Sequence, residues 1–316
     1  MQRENLQNWN KRNYYEKTNF IISCMLCAAM SINAQENDFP KLTGPYLGQK
    51  PPGVTPEVFA PGIVSTEAHE FSCSFMPDGG EFYFTRKHPD LNRNVIMVTK
   101  NMNGVWLKPE IASFNGDDMA FEPRVTPDGS RLYFTSSKPL PGGGPPMNVW
   151  FVERKGNQWG VPQNPGEPFN PMKTMYISVS FQNTVYTTDI SGGMGNESII
   201  RLKKTNGKYA KAERIGPPIN TGQRDMYPFV TPDENCLIFC SNRPAEKNIS
   251  GLFVSFRNQN GAWQDPKPVP LGMKAGMPLL SPDGKYLLFT AGERGKSDIY
   301  WVSAEIIEAL KPRELN

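Results

Sequence analysis

Arg124-Val-Thr-Pro-Asp-Gly-Ser-Arg-Leu-Tyr-Phe-Thr135 is one of four close copies of a single pattern. The others are Ser74-Phe-Met-Pro-Asp-Gly-Gly-Glu-Phe-Tyr-Phe-Thr85, Phe229-Val-Thr-Pro-Asp-Glu-Asn-Cys-Leu-Ile-Phe-Cys240 and Leu279-Leu-Ser-Pro-Asp-Gly-Lys-Tyr-Leu-Leu-Phe-Thr290. In Pro-Asp-Gly, proline fixes φ at the first corner, aspartate bonds its own backbone and glycine accepts a positive φ, so each copy predicts two strands joined by a tight turn. A degenerate fifth copy, Ser178-Val-Ser-Phe-Gln-Asn-Thr-Val-Tyr-Thr187, fills the long gap between Pro127 and Pro232, with a turn that reads as shortened by two residues. The turn at Asn183 is therefore expected to be built differently from the one at Gly129.

Outward from each copy the plan repeats. A third strand follows, rich in β-branched and aromatic residues, as in Asn148-Val-Trp-Phe-Val152 and Asp298-Ile-Tyr-Trp-Val302. Asn103-Gly104, Gly156-Asn157, Asn206-Gly207 and Asn260-Gly261 then supply hairpin turns. Trp106, Trp159, Tyr209 and Trp263 open a fourth strand, and their matched places assign them to packing between repeats. The last copy lacks its fourth strand, while Val54-Thr-Pro-Glu-Val-Phe-Ala-Pro61 has the right pattern and no copy of its own. A fold that joins the two leaves no open sheet edge. The expectation is an all-β β-propeller of five four-stranded blades closed by an N-terminal outer strand, with six blades as the alternative count.

The Pro-Asp-Gly turn, the Leu-Tyr-Phe-Thr strand and the terminal Asp298-Ile-Tyr-Trp-Val resemble the TolB-like, WD-like propeller repeat of exported bacterial proteins, over roughly residues 54–302. The resemblance implies a fold and an exported setting. It implies no activity, because the matching residues are turn and packing residues.

The flanks set the domain limits. Arg3, Lys11, Arg12 and Lys17 precede an apolar run, Phe20 to Met30, that is too short to span a bilayer and is followed by Ala34. Residues 1–34 read as a secretory signal, with Cys24 offering a lipid-anchor variant. Residues 35–53 form an N-terminal extension and 54–316 one propeller domain ending in a short helix near Ala304 to Leu310. The expected location is secreted, periplasmic or outer-membrane associated, without a membrane span, as a monomer or part of an envelope complex.

Composition narrows the function. Charge is nearly balanced, 34 basic against 31 acidic residues, with no basic block to neutralise a phosphate backbone, so nucleic acid is not an expected partner. With two histidines and, once Cys24 and Cys27 leave with the signal, three cysteines (Cys73, Cys236 and Cys240) without Cys-x-x-Cys spacing, no metal site or cofactor is expected. No Gly-x-Ser-x-Gly nucleophile motif occurs, and no catalytic residue is assigned.

Within a blade the first-to-second and third-to-fourth turns share one face and are too short to build a site. The opposite, loop face carries long and varied connections, where function on a rigid scaffold concentrates. Candidate ligand-binding residues there are His69, Glu70, Asp118, Glu122, Tyr176, Arg224, Asp225 and Tyr227, at or near equivalent positions of successive blades. This mixture suits an envelope protein or glycan bound around the central channel. The alternative is a glycoside-hydrolase-like enzyme drawing paired carboxylates from the same set.

Overall fold

The computed structural model describes residues 39–140, 142–144, 146–244, 251–293 and 295–315. The chain divides into an N-terminal unit, Met1–Leu42, and a second unit, Thr43–Asn316, which is the propeller. The expected signal sequence and the lipid-anchor cysteine Cys24 lie outside the described residues.

Five small antiparallel sheets make the five blades. Their innermost A strands are Glu70–Phe75, Ala120–Val125, Thr174–Val179, Asp225–Val230 and Gly276–Leu280. Each turns through its Pro-Asp-Gly copy, or the Phe181 variant of it, into a B strand, and the B strands pair in turn with the C strands Arg93–Met102, Asn148–Lys155, Ser198–Leu202, Gly251–Phe256 and Lys296–Ser303. Alternation explains the packing. Phe82 and Phe84 of the first B strand face one side and Tyr83 the other, and all three are buried because blades press on both faces.

The outer strand arrives in two pieces. Val105–Trp106 continues the hairpin against Asn101 and Met102, and Glu110–Ile111 then pairs with Val98 and Met97. Pro109 lies in the interruption, and Pro162 and Pro266 lie in the corresponding gaps of blades 2 and 4, where the missing N–H breaks the ladder without cost. The aromatic that opens this strand is a packing residue. Trp106 is buried and donates to the Gly44 carbonyl at 2.8 Å, and Trp159 donates to the Tyr83 hydroxyl of blade 1 at 2.7 Å.

Blade 5 closes as expected. Glu57 and Val58 pair with Trp301 and Tyr300, and the Phe59 N–H donates to the Ile299 carbonyl at 2.8 Å. Phe59 is fully buried, with its ring 5.1 Å from those of both Phe82 and Trp301, so the seam joins blades 5 and 1 through aromatic contact as well as backbone. Tyr46 packs on Tyr286 at 5.0 Å, which draws part of the N-terminal extension onto the same seam. At the other end the helix is one turn, Glu305–Glu308, held by buried Ile306 and Ile307.

The degenerate repeat departs from its reading in one respect. Thr188 is the counterpart of Thr135, so the turn is one residue shorter rather than two, and Asn183 takes the left-handed φ of 59° where Gly129 has 69°. Asparagine tolerates this region through its short polar side chain, so both turns have the same opening geometry.

Candidate functional site

One residue near the start of every A strand, the third in blades 1 to 4 and the second in blade 5, has a positive φ: Ser72 46°, Glu122 58°, Tyr176 59°, Tyr227 54° and Met277 54°. Each marks a bulge, since the register with the B strand shifts at that point in all five blades. Non-glycine residues so held cost roughly 1–3 kcal/mol each and persist only where surroundings compensate. Here the compensation is a bond to the preceding blade. The N–H groups of Ser72, Glu122 and Tyr227 donate to the hydroxyls of Thr290, Thr85 and Thr188 at 3.0, 2.9 and 2.8 Å. Thr85, Thr188 and Thr290, which end the B-strand motifs of blades 1, 3 and 5, are thus clasps between blades.

The other two junctions differ: in blade 4 Cys240 stands in the threonine's place, and in blade 2 Thr135 is bypassed. The Tyr176 N–H donates to the Glu122 carboxylate at 2.8 Å instead of to Thr135, whose hydroxyl lies 3.4 Å from the same oxygen. Burial raises the Glu122 carboxyl to about 7, against the stabilising bonds of Tyr176 and Thr135 and the nearby Arg124 charge.

Tyr176 also bars the channel. Its hydroxyl donates to the Pro278 carbonyl of blade 5 at 2.6 Å and accepts from Arg124 of blade 2, while its backbone belongs to blade 3. Arg124 stacks on the Tyr176 ring at 4.9 Å and donates to the Ile177 carbonyl at 3.1 Å. The axis is therefore crossed by two side chains that separate its loop end from its turn end.

The eight predicted residues divide by burial. Glu70 and Asp225, expected to face a ligand, are instead buried in matching locks. Glu70 pairs with Arg86 at 2.6 Å and accepts from the Thr66 N–H at 3.1 Å, while Arg86 bonds the carbonyls of Ile63 and Val64. Asp225 pairs with Arg243 at 2.8 Å and accepts from the Thr221 N–H at 3.1 Å, while Arg243 bonds the carbonyls of Pro218 and Ile219. Each acid, at the first position of its A strand, ties the connecting loop to its own blade. Glu122 and Tyr176 are buried at the axis as just described. His69, Asp118, Arg224 and Tyr227 remain partly exposed on the loop side. His69 accepts from the Ser297 N–H at 3.2 Å, and burial lowers its proton affinity. Arg224 pairs with Glu197 at 3.0 Å, Asp118 lies 3.8 Å from Lys138, and the Tyr227 ring meets that of Tyr176 edge-on at 5.5 Å.

Arg124 is the residue missed by sequence reasoning. It lies two residues after the bulge residue Glu122, where the other blades have Ser74, Ser178, Phe229 and Leu279. A lone charge at an otherwise apolar or hydroxyl position of the repeat was the available signal.

Comparison with known proteins bears on the architecture. An endo-arabinase from Bacteroides thetaiotaomicron VPI-5482 superposes with a TM-score of 0.50 at 13% identity, over 77% of this chain and 94% of that one. The likeness is one of fold. A TolB-like protein from Agrobacterium tumefaciens aligns with a TM-score of 0.47 at 13% identity, over 72% of this chain and 71% of that one. A thermostable family-43 glycoside hydrolase aligns with a TM-score of 0.49 at 14% identity, over 75% and 90% of the two chains. Neither a family model nor a curated protein matches the sequence. At these identities the likeness shows the fold alone and carries no activity across to this chain.

The remaining chemistry is sparse. Among the described residues no three His, Cys, Asp or Glu side chains gather as a metal site requires. The thiols of Cys73 and Cys240 are pushed up to about 12 by burial, so neither is a ready nucleophile. No helix among the described residues is long and apolar enough to cross a membrane.

Proposed function

We propose that this chain is an exported, non-catalytic binding propeller of the cell envelope that receives a protein or glycan ligand on its loop face. The observation that carries the reading is the fate of the carboxylates. Glu70 and Asp225 are spent in buried ion pairs with Arg86 and Arg243, leaving Glu122 as the one acid in the ring of five bulge residues. Glycoside hydrolysis needs two carboxyl groups flanking the bond, about 5–9.5 Å apart. What stays accessible at the loop ends is His69, Asp118, Arg224 and Tyr227, a set suited to hydrogen bonding and ring stacking.

The enzyme reading keeps one observation in its favour. A carboxyl raised to about 7, as in Glu122, lies in the range of a general acid. It needs a second carboxylate within reach: Glu70 and Asp225 are locked in buried ion pairs, and Asp118, still partly exposed, lies 3.8 Å from Lys138.

The test is binding with the purified chain on a glycan array and against envelope extracts, comparing wild type with Arg224→Ala and Tyr227→Ala. Specific retention lost in both variants, each still folded at the assay temperature, is expected. Retention untouched by either variant would move the ligand off the loop face.

A further inference from the structure

The turn face, expected from its short connections to be featureless, holds a cavity of about 350 Å³ on the propeller axis, lined by residues of all five blades. Its rim is a ring of flat apolar side chains: Pro77, Pro127, Pro232 and Pro282 of the four regular turns, and Phe181 where the degenerate turn lacks the proline. Phe181 is 63% exposed, an uncommon state for a large apolar residue beside a cavity. Below the rim the wall is largely apolar, with Val125, Val179, Phe229 and Leu279 among its members, and Arg124 also lines it.

The polar groups of this cup are accounted for with one exception. The hydroxyls of Ser74 and Ser178 accept from the N–H groups of Val125 and Val230, each at 3.0 Å. Those of Thr126, Thr231 and Ser281 donate to Asp128, Asp233 and Asp283 of their own turns, each at 2.6 Å. The turn aspartates are thereby held in their turns and none lines the cavity. Arg124 is 3% exposed, uses Nε and Nη2 on Ile177 and Tyr176, and leaves Nη1 buried without a hydrogen-bond partner. No ion pair to Arg124 occurs among the described residues, and the nearest acid in sequence, Glu122, is turned to Tyr176 and Thr135. A buried guanidinium with no direct ion pair and one of its bonds unmade is costly unless something else supplies them.

We propose that the turn-face cup is a second binding site, separate from the loop face, which takes a small organic acid: an apolar body held inside the rim of Pro77, Pro127, Phe181, Pro232 and Pro282, and a carboxylate paired with Arg124. The carboxylate accepts from Nη1 and furnishes the missing ion pair, requiring only that the guanidinium tip turn toward the cavity. The cup lies within the size range of small-ligand pockets. Its chemistry excludes sugars, which would bring many hydroxyls to a wall whose own polar groups are already bonded.

Octanoate and octanol separate the charge from the body. Titrating each, below the micellar concentration of octanoate, into the purified protein by calorimetry should give tighter binding of octanoate by about tenfold or more, the size of one charge-assisted bond. Arg124→Met should erase that preference. Phe181→Glu, on an exposed rim side chain, should weaken octanoate binding without moving the melting temperature of the free protein, and it serves as the test if Arg124→Met does not fold. Equal binding of octanol and octanoate would overturn the proposal and mark the cup as a generic apolar socket, such as one for a side chain of a partner protein. Absence of octanoate binding, or octanoate binding indifferent to Phe181→Glu, would overturn it as well.

Discussion

The Tyr176 hydroxyl donates to the Pro278 carbonyl at 2.6 Å across 102 positions of sequence, joining blade 3 to blade 5 through the axis rather than through a shared blade face. The same oxygen receives the Arg124 guanidinium, so one phenol ties three blades. Removing it with Tyr176→Phe leaves a buried carbonyl and a second unbonded arginine N–H, a loss of about 1–3 kcal/mol for each group stranded. Urea denaturation should register a lower midpoint with an unchanged slope. A midpoint equal to that of wild type would mean that the crossbar does not support the ring.

Closure of the ring rests on a short N-terminal strand, and Phe59 is its anchor. The side chain is fully buried between Phe82 and Trp301, so Phe59→Ala should cost about 3–5 kcal/mol, the range for a large aromatic lost from a core. Surface Val54→Ala, three residues before the paired segment and 58% exposed, should change stability little. Comparable losses at the two positions would contradict the seam.

The acid at the head of the A strand is a structural lock in blades 1 and 4. Asp225→Ala strands the buried Arg243 charge and frees the Thr221 loop, which should cost about 3–5 kcal/mol. Gln223→Ala, two residues earlier and exposed, should leave the melting temperature nearly unchanged. Thermal denaturation of the two variants side by side separates a scaffold residue from a surface one.

Glu122 predicts an uncommon pH dependence. Its carboxyl titrates near 7 in the folded chain and near 4.5 when unfolded, so the folded state binds the extra proton between those values. Stability from this group is therefore full below about pH 4.5, declines as pH rises to about 7 and is flat beyond, a change of at most about 3 kcal/mol. His69, with lowered proton affinity, acts in the opposite sense as it gains a proton below its ordinary value. The readout is accordingly the difference between wild type and Glu122→Gln, measured as denaturation midpoints from pH 4.5 to 7.5. The wild type should lose ground relative to the variant as pH rises; a constant difference would place the carboxyl in its ordinary range.

The propeller was legible because its information is local and repeated. Pro-Asp-Gly and Asn-Gly specify turns through φ, the β-branched runs specify strands, and the unmatched segment before Pro61 had one vacant place to fill. The site was less legible, for two reasons. An acid in a connecting loop looks the same whether it faces solvent or an arginine sixteen or eighteen positions later, as Glu70 and Asp225 do with Arg86 and Arg243. The left-handed bulge falls on Ser72, Glu122, Tyr176, Tyr227 and Met277, none of them a glycine that would announce it. Contacts across the axis, such as Arg124 to Tyr176, depend on the closed ring and have no local pattern.

The central claim is that the loop face binds without turning its ligand over. Its most direct measurement is release of reducing ends from a panel of envelope and plant polysaccharides by wild type and by Glu122→Gln. The account predicts no release above background from either protein. Release by wild type that disappears in Glu122→Gln would contradict it and restore the carboxylate to a catalytic role.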